Sequence, residues 1–338
     1  MGRHHARIYS QVEGAELVGV VDADAVRAGD IVEQWGGRHF SSIEQLIEAG
    51  VQAVTIATPT ICHREQAEEL LAAGVSLLIE KPLAPDVEEG RALVEAVSRS
   101  KGILQVGHVV RYDPVMRAMR ELGQRASITP RFIQMDRISP MTFRSVDVGV
   151  VLDMMIHDLD LLLMLVGSEP TEIQASAVCV LGEAEDVCNA RLTFSGKDGP
   201  GISGGPPTVA NVTASRLAMK TERKIRIISE EAYVSADFVA GKGTVVRKTA
   251  NEGQLIEMRQ RLSAGEDLSD IDWMELVEVE PLEIGEGAED PLTLQAKDFL
   301  EHVRSGTQPQ VDAKAGFAAV RTAERIVEKA RATGARMV

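Results

Sequence analysis

Ser76-Leu77-Leu78-Ile79-Glu80-Lys81-Pro82 decides how the first third of the chain reads, as an unbroken apolar run that ends abruptly in Glu-Lys-Pro. Runs of this kind belong to parallel strands buried on both faces, and parallel strands need crossover segments between them. The flanking sequence supplies both. Short apolar runs at Glu16 to Val21, Ala53 to Ala57 and Ile103 to Val106 alternate with helix-patterned stretches near Asp24 to Trp35, Ile43 to Ala49, Cys62 to Ala73 and Val87 to Ser98. Gly74 and Gly102 follow two of these helices, where a left-handed residue commonly closes the last turn. The pattern predicts an α/β domain over residues 1–122, built on an open, doubly wound parallel sheet.

After Gly123 the pattern changes. Strands are expected at Arg131 to Ile138, Glu172 to Leu181, Val187 to Phe194, Val209 to Ser215, Lys224 to Ser229 and Glu275 to Val279, with no helix between most of them. That succession predicts an α+β domain over 123–338 with a largely antiparallel, open sheet. One long helix, Val148 to Val166, interrupts it, and helices Pro291 to Arg304 and Ala313 to Thr333 close the chain. The Gly/Pro-rich stretch from Gly196 to Pro207 reads as a hairpin loop.

Two domains suit 338 residues, of which 44% are apolar. A formal charge of −15 argues against a surface that tracks nucleic-acid phosphates. Three cysteines, Cys62, Cys179 and Cys188, match neither a disulfide framework nor a zinc site, and a reducing cytoplasm is the expected compartment. The first residues lack a signal-peptide pattern. The most apolar stretch, Val146 to Val166, carries five ionisable groups, each of which would cost roughly 2.5–3.5 kcal/mol at mid-membrane, so no bilayer span is expected.

In a nucleotide-binding domain of the Rossmann type, the first strand feeds a glycine-rich turn that approaches a pyrophosphate. Here Met1-Gly2-Arg3-His4-His5-Ala6 resembles the tail of a G-x-G-x-x-G turn, with Gly2 as its third glycine. The first strand and the first two glycines are expected in about ten or more residues upstream, because a sheet without its central strand exposes unpaired edges. About 20 residues beyond Gly2, at the end of the next strand, Asp22 is placed to accept from an adenosine ribose and to disfavour a 2′-phosphate. A flexible terminal glycine and a helix-capping Asp22 are the plainer readings of the two residues.

Two elements carry chemistry. Lys81 follows a parallel strand at its carboxyl end, where ligands bind in open α/β sheets, and can donate to a hydroxyl or carbonyl oxygen. On the long helix, spacings of four and seven put Asp153, His157 and Asp160 within roughly 60° of one another. A metal site is disfavoured because no second histidine clusters with His157, and a hydrolase because no Gly-x-Ser-x-Gly elbow occurs. Arg111, Arg117, Arg120, Arg137, Arg144, Arg216 and Lys220 are candidate cations, most of them expected to be solvated surface charges.

Taken in order, Met1-Gly2-Arg3-His4-His5-Ala6, Val20-Val21-Asp22, Ala57-Thr58-Pro59 with His63, Glu80-Lys81-Pro82, Gly107-His108 with Arg111-Tyr112-Asp113-Pro114, and the Asp153/His157 helix resemble the Gfo/Idh/MocA oxidoreductases over nearly the whole chain. The resemblance implies NAD as cofactor, with NADP not excluded. It places the cofactor on Gly2, Arg3, Asp22, Thr58, Pro59, His63, Glu80 and Lys81. It implies catalysis by Lys81, Asp153 and His157, with His157 near its ordinary pKa of about 6.5 as proton acceptor, Lys81 on the substrate oxygen and Asp153 as orienting group. Arg111, Arg137 and Arg144 are the expected substrate-binding cations, and Arg137 and Arg144 suit a sugar diphosphate. The strings Gly107 to Pro114 and Val151 to Asp158 are similar to a branch that includes UDP-N-acetylglucosamine 3-dehydrogenases. A nucleotide sugar is therefore the expected substrate, with inositol or a free sugar next. A homodimer or homotetramer formed through the open sheet is implied as well. A non-catalytic sensor of dinucleotide or sugar and a nonfunctional fragment are the readings from other classes.

Overall fold

The structure, a computed structural model, describes residues 1–125, 128–142, 148–181, 183–196, 207–269, 271–285 and 289–335. Arg144 and most of the expected hairpin loop, residues 197–206, lie outside the described residues.

The first half runs α1 (Gly2–Tyr9), β1 (Gly19–Val21), α2 (Ala25–Trp35), β2 (Arg38–Phe40), α3 (Ile43–Glu48), β3 (Ala53–Ile56), α4 (His63–Ala72), β4 (Ser76–Glu80), α5 (Val87–Arg99) and β5 (Leu104–Gly107). All pairings are parallel and form two ladders, β1–β2 and β3–β4–β5, with no ladder between β1 and β3 among the described residues. Every residue of β4 is buried, as its apolar run requires. Asp24, Ser42 and Asp86 start α2, α3 and α5 by accepting from backbone N–H groups of the first turn. The sequence reading lacks β2, a three-residue strand in which only Phe40 is buried, too short to show a period.

The second half runs α6 (Pro114–Arg125), β6 (Phe132–Ile138), α7 (Ile156–Val166), β7 (Glu172–Val178), β8 (Val187–Phe194), β9 (Thr208–Ser215), β10 (Glu222–Ile228), β11 (Ala232–Asp237), β12 (Lys242–Lys248), α8 (Glu252–Ser263), β13 (Val277–Pro281), α9 (Pro291–Ser305) and α10 (Ala313–Ala332). Its sheet is eight-stranded, in the order β13-β12-β11-β10-β6-β9-β8-β7. Among the described residues, only β6 and β9 of this sheet pair in parallel. β11 and β12 add to the strands expected from sequence. The buried face of β11 is Ala232, Val234 and Ala236, side chains too small to give strong hydrophobic contrast. Likewise α8 buries no residue, so it has no apolar stripe to read.

The closing helices pack against both halves. With 20 residues, and hence a length of about 30 Å, α10 reaches two cores. It buries Ala313 and Val320 with the β3–β4–β5 core and Ala319, Ala323, Ile326 and Ala330 with the core under the eight-stranded sheet. On α9, Leu292 and Ala296 meet Ile8 and Val12, and Phe299 meets Leu78 and Ile103. No helix among the described residues is long and apolar enough to cross a membrane.

Candidate active site

Of the expected cofactor residues, Asp22, Thr58, Pro59, Glu80 and Lys81 stand at or just beyond the carboxyl ends of β1, β3 and β4, whereas Gly2 and Arg3 open α1 and His63 opens α4. Asp22 lies one residue beyond β1, and its Oδ1 accepts from the Asp24 N–H at 2.9 Å and from Arg27 Nη1 at 3.4 Å. The helix cap is Asp24, which takes the Val26 and Arg27 N–H groups. Thr58 and Pro59 are exposed past β3, and the Thr58 hydroxyl donates to Gln66 Oε1 at 2.8 Å. His63 is buried, with Nδ1 3.2 Å from the Leu83 carbonyl and Nε2 3.2 Å from the Thr58 carbonyl. Burial pushes its pKa below 6.5. It thus ties the Thr58 loop to the turn after Lys81. Gly2 and Arg3 open α1 and are exposed; a Cβ at Gly2 would meet nothing within 4 Å.

At the end of β4 the Glu80 carboxylate is buried, with Oε1 2.7 Å from His5 Nε2 and Oε2 accepting from the Lys81 N–H at 3.3 Å. Gly107 on the adjacent strand lets Glu80 pack closely, since a Cβ would come 3.0 Å from Glu80 Cα and 3.1 Å from its Oε2. Glu80 therefore anchors α1 and the backbone of Lys81. The Lys81–Pro82 peptide is cis.

Lys81 Nζ crosses to the other half, donating to the Asp153 carbonyl at 2.7 Å and to Asp153 Oδ1 at 3.1 Å. The single α-helix expected over Val148 to Val166 is instead a π-helical turn, Val151–Met155, leading into α7. Glu185 holds its start: the Glu185 carbonyl accepts from the Val150 N–H and Oε1 from the Val151 N–H, both at 3.0 Å. Gly149 leaves room for this carboxylate, since a Cβ there would overlap Glu185 Oε1 and Cδ. A π turn carries more residues than an α turn, so it breaks the expected common face of Asp153, His157 and Asp160. Asp153 meets Lys81, whereas Asp160 is buried against Arg111, which donates from Nε at 2.7 Å and Nη2 at 2.6 Å.

Lys81, Asp153 and His157 line one cleft of about 240 Å³, together with Arg137, Arg216 and Arg223. Arg137 is held by Asp158 through Nε at 2.8 Å and Nη2 at 2.7 Å, a buried bidentate pair. Arg216 Nε donates to Asp186 Oδ1 at 2.6 Å and its Nη1 to the Val148 carbonyl at 2.7 Å. Arg111 does not line the cleft; its guanidinium is taken up by Asp160 and, through Nη1, by the Gln310 carbonyl at 3.3 Å. His157 departs from the expected ordinary pKa. Burial, and then the nearby Lys81, Arg137, His108 and Arg223, hold it well below 6.5. His108 lies edge-on to it, ring centroids 6.3 Å apart, and both buried His108 nitrogens lack a hydrogen-bond partner among the described residues.

Chemically, a neutral imidazole beside a lysine cation can take the proton of a hydroxyl whose oxygen the lysine holds. The strand ends from Asp22 to Lys81 offer a carboxylate for ribose hydroxyls and open edges for a dinucleotide, and His108 Nε2 lies 4.0 Å from Asp160 Oδ1. Glu185, His108 and Arg223 are absent from the expected site residues. Of these, Arg223 had a signal: two-residue alternation with Ile225 and Ile227.

Residues 1–108 match a family described as an oxidoreductase family with an NAD-binding Rossmann fold, and residues 120–235 match the GFO/IDH/MocA C-terminal domain. The chain belongs to the Gfo/Idh/MocA family of oxidoreductases. It is a nicotinamide-dependent dehydrogenase with the Rossmann-type and mostly antiparallel sheets of that family. It is 34% identical over 278 residues to the UDP-N-acetylglucosamine 3-dehydrogenase of Acidithiobacillus ferrooxidans, covering 80% of this chain and 84% of the relative. It is 33% identical over 193 residues to an inositol 2-dehydrogenase of Rhizobium meliloti, covering 54% and 57%. A solved structure of UDP-N-acetylglucosamine 3-dehydrogenase from A. ferrooxidans superposes with a TM-score of 0.82 at 30% identity, covering 98% of this chain and 94% of that one. A levoglucosan dehydrogenase solved with NADH and levoglucosan shares the fold, with a TM-score of 0.78 at 17% identity over 98% and 95% of the two chains.

Proposed function

We propose that the protein oxidises a sugar hydroxyl of a nucleotide sugar, in the manner of a UDP-N-acetylglucosamine 3-dehydrogenase, with Lys81, Asp153 and His157 as its catalytic group. The observation that carries this reading is the contact of Lys81 with Asp153 beside His157 in one cleft. When bound, an oxidised nicotinamide supplies the hydride acceptor. His157, kept neutral by its surroundings, takes the hydroxyl proton as the carbonyl forms. Lys81 donates a hydrogen bond to the same oxygen and opposes the negative charge that grows on it. Asp153 fixes the lysine through both its carbonyl and its carboxylate, so Lys81 arrives already positioned.

The cofactor is NAD in this reading, held by residues 1–122 with Asp22 on the ribose and Gly2, Arg3, Thr58, Pro59, His63 and Glu80 around the rest of it. The substrate lies against residues 123–338, with Arg137 facing it. Asp22→Ala is expected to lower kcat/KM for NAD by about tenfold or more and to raise that for NADP, because one charged hydrogen bond to the ribose is lost and Arg27 keeps only Asp24 of its two carboxylates. The same reading expects a cytoplasmic homodimer or homotetramer built on the open face of the eight-stranded sheet, which analytical ultracentrifugation measures directly. The deciding assay is NADH formation with UDP-N-acetylglucosamine against myo-inositol and free glucosamine derivatives. Faster turnover of either neutral substrate overturns the nucleotide-sugar assignment.

A further inference from the structure

On the inner face of the eight-stranded sheet, β6 and β10 run antiparallel in matched rows. Ile133 stands opposite Ile227, Met135 opposite Ile225, and Arg137 opposite Arg223. The two apolar rows are buried under the helices. The third row, two guanidinium groups, opens into the cleft that holds Lys81 and His157.

Like charges directly opposite each other destabilise a sheet, so this row carries a standing cost. The carboxylates nearby relieve it only in part, since Asp158 neutralises Arg137 and attracts Arg223 only through space. Asp158 spends both oxygens on Arg137, and Asp113 gives Oδ1 to the Val115 N–H at 2.9 Å while attracting Arg223 only through space. Arg223 has neither an ion pair nor a side-chain hydrogen bond to a described residue, and it is exposed. Burial of part of the side chain, and then the facing Arg137, push its pKa down against the pull of Asp158 and Asp113. In the cleft Lys81, Arg137 and Arg216 each meet a carboxylate, Asp153, Asp158 and Asp186, and Arg223 is the cation left without a side-chain partner among the described residues.

We propose that Arg223 and Arg137 form an anion subsite that holds a phosphate-type group carried by the substrate, and that this row selects phosphorylated sugars over neutral ones. Arg137, clamped by Asp158, keeps its Nη1 free of that pair, and Arg223 brings a whole guanidinium. An oxygen of the phosphate takes the place of the missing counter-charge, and the cost of the opposed pair becomes binding energy for the charged substrate alone. The proposal rests on the reading that the sugar reacts at His157, and it names the chemistry that selects it.

The test is calorimetric titration of UDP, glucose 6-phosphate and inorganic pyrophosphate, in phosphate-free buffer with NADH present, into wild type, Arg223→Gln, Arg223→Lys and His157→Ala. UDP is expected to bind the wild type and to lose about 10- to 100-fold in Arg223→Gln, the span of one charged hydrogen bond, with partial recovery in Arg223→Lys. Without ligand, Arg223→Gln is expected to melt at the same temperature as wild type or higher, because repulsion is relieved; this separates a ligand-binding role from a structural one. Arg223 dependence for glucose 6-phosphate but not UDP keeps the subsite and makes its source a sugar monophosphate. If none of the three ligands loses affinity in Arg223→Gln, the proposal is overturned. His157→Ala is expected to keep UDP affinity while turnover falls. Arg223-dependent UDP binding without any sugar-nucleotide turnover would remove the activity and leave the subsite; turnover with binding of all three ligands indifferent to Arg223 would do the reverse.

Discussion

Lys81 Nζ lies 2.7 Å from the backbone oxygen of Asp153 and 3.1 Å from its carboxylate, across 72 positions of sequence. The contact joins the end of a parallel strand to the π turn of the other half. A lysine held by two oxygens of one residue has little freedom left to lose when a substrate oxygen arrives.

Lys81→Met keeps the length and apolar stem of the side chain and removes its donor. It is expected to lower kcat by about 10²–10³-fold, the usual loss when one donor to a developing oxyanion is removed. The Kd for NADH is expected to change little. Steady-state kinetics beside a calorimetric titration checks both, and a KM effect with unchanged kcat would place Lys81 in binding alone.

Gly149→Ala tests the mounting of the π turn. The new Cβ overlaps the Glu185 carboxylate, which must leave the Val151 N–H or shift the turn that carries Asp153. Overpacking of this kind costs about 1–3 kcal/mol. A lower melting temperature together with reduced kcat is expected; wild-type values for both would show that Glu185 does not set the turn.

The pH profile follows from the low pKa of His157. As proton acceptor it must be neutral, so activity is expected to stay flat down through pH 6.5 and to fall only below it. Removing a neighbouring cation raises the histidine pKa, so Arg223→Gln and Lys81→Met are expected to move the acid limb upward. The sign for stability is the same: the unfolded histidine takes a proton near 6.5 while the folded one does not, so stability is lost as pH falls below that value. Kinetics of both variants from pH 5 to 8 reads the shift.

The alternation of apolar runs and helices made the parallel strands legible, since β4 and β5 are buried throughout and their composition says so. The cleft positions of Lys81 and His157 were legible because ionisable groups stand out at a strand end and inside an apolar helix. The π turn was not, because it depends on Glu185, 34 residues away from the Val151 N–H it accepts. Nor was the fate of Arg111, whose partner Asp160 is 49 residues distant. The Arg137–Arg223 row needed a strand register, which local periodicity does not supply. Once β6 and β10 are aligned, two-residue alternation places Arg137 on the face of Ile133 and Met135 and Arg223 on the face of Ile225 and Ile227.

The most direct test of the account is turnover of UDP-N-acetylglucosamine with NAD by His157→Ala, measured beside the affinity of the same variant for NADH. The account predicts a loss of kcat of about 10²–10⁴-fold, the range for a general base, with NADH affinity within twofold of wild type. Wild-type turnover in His157→Ala would contradict it.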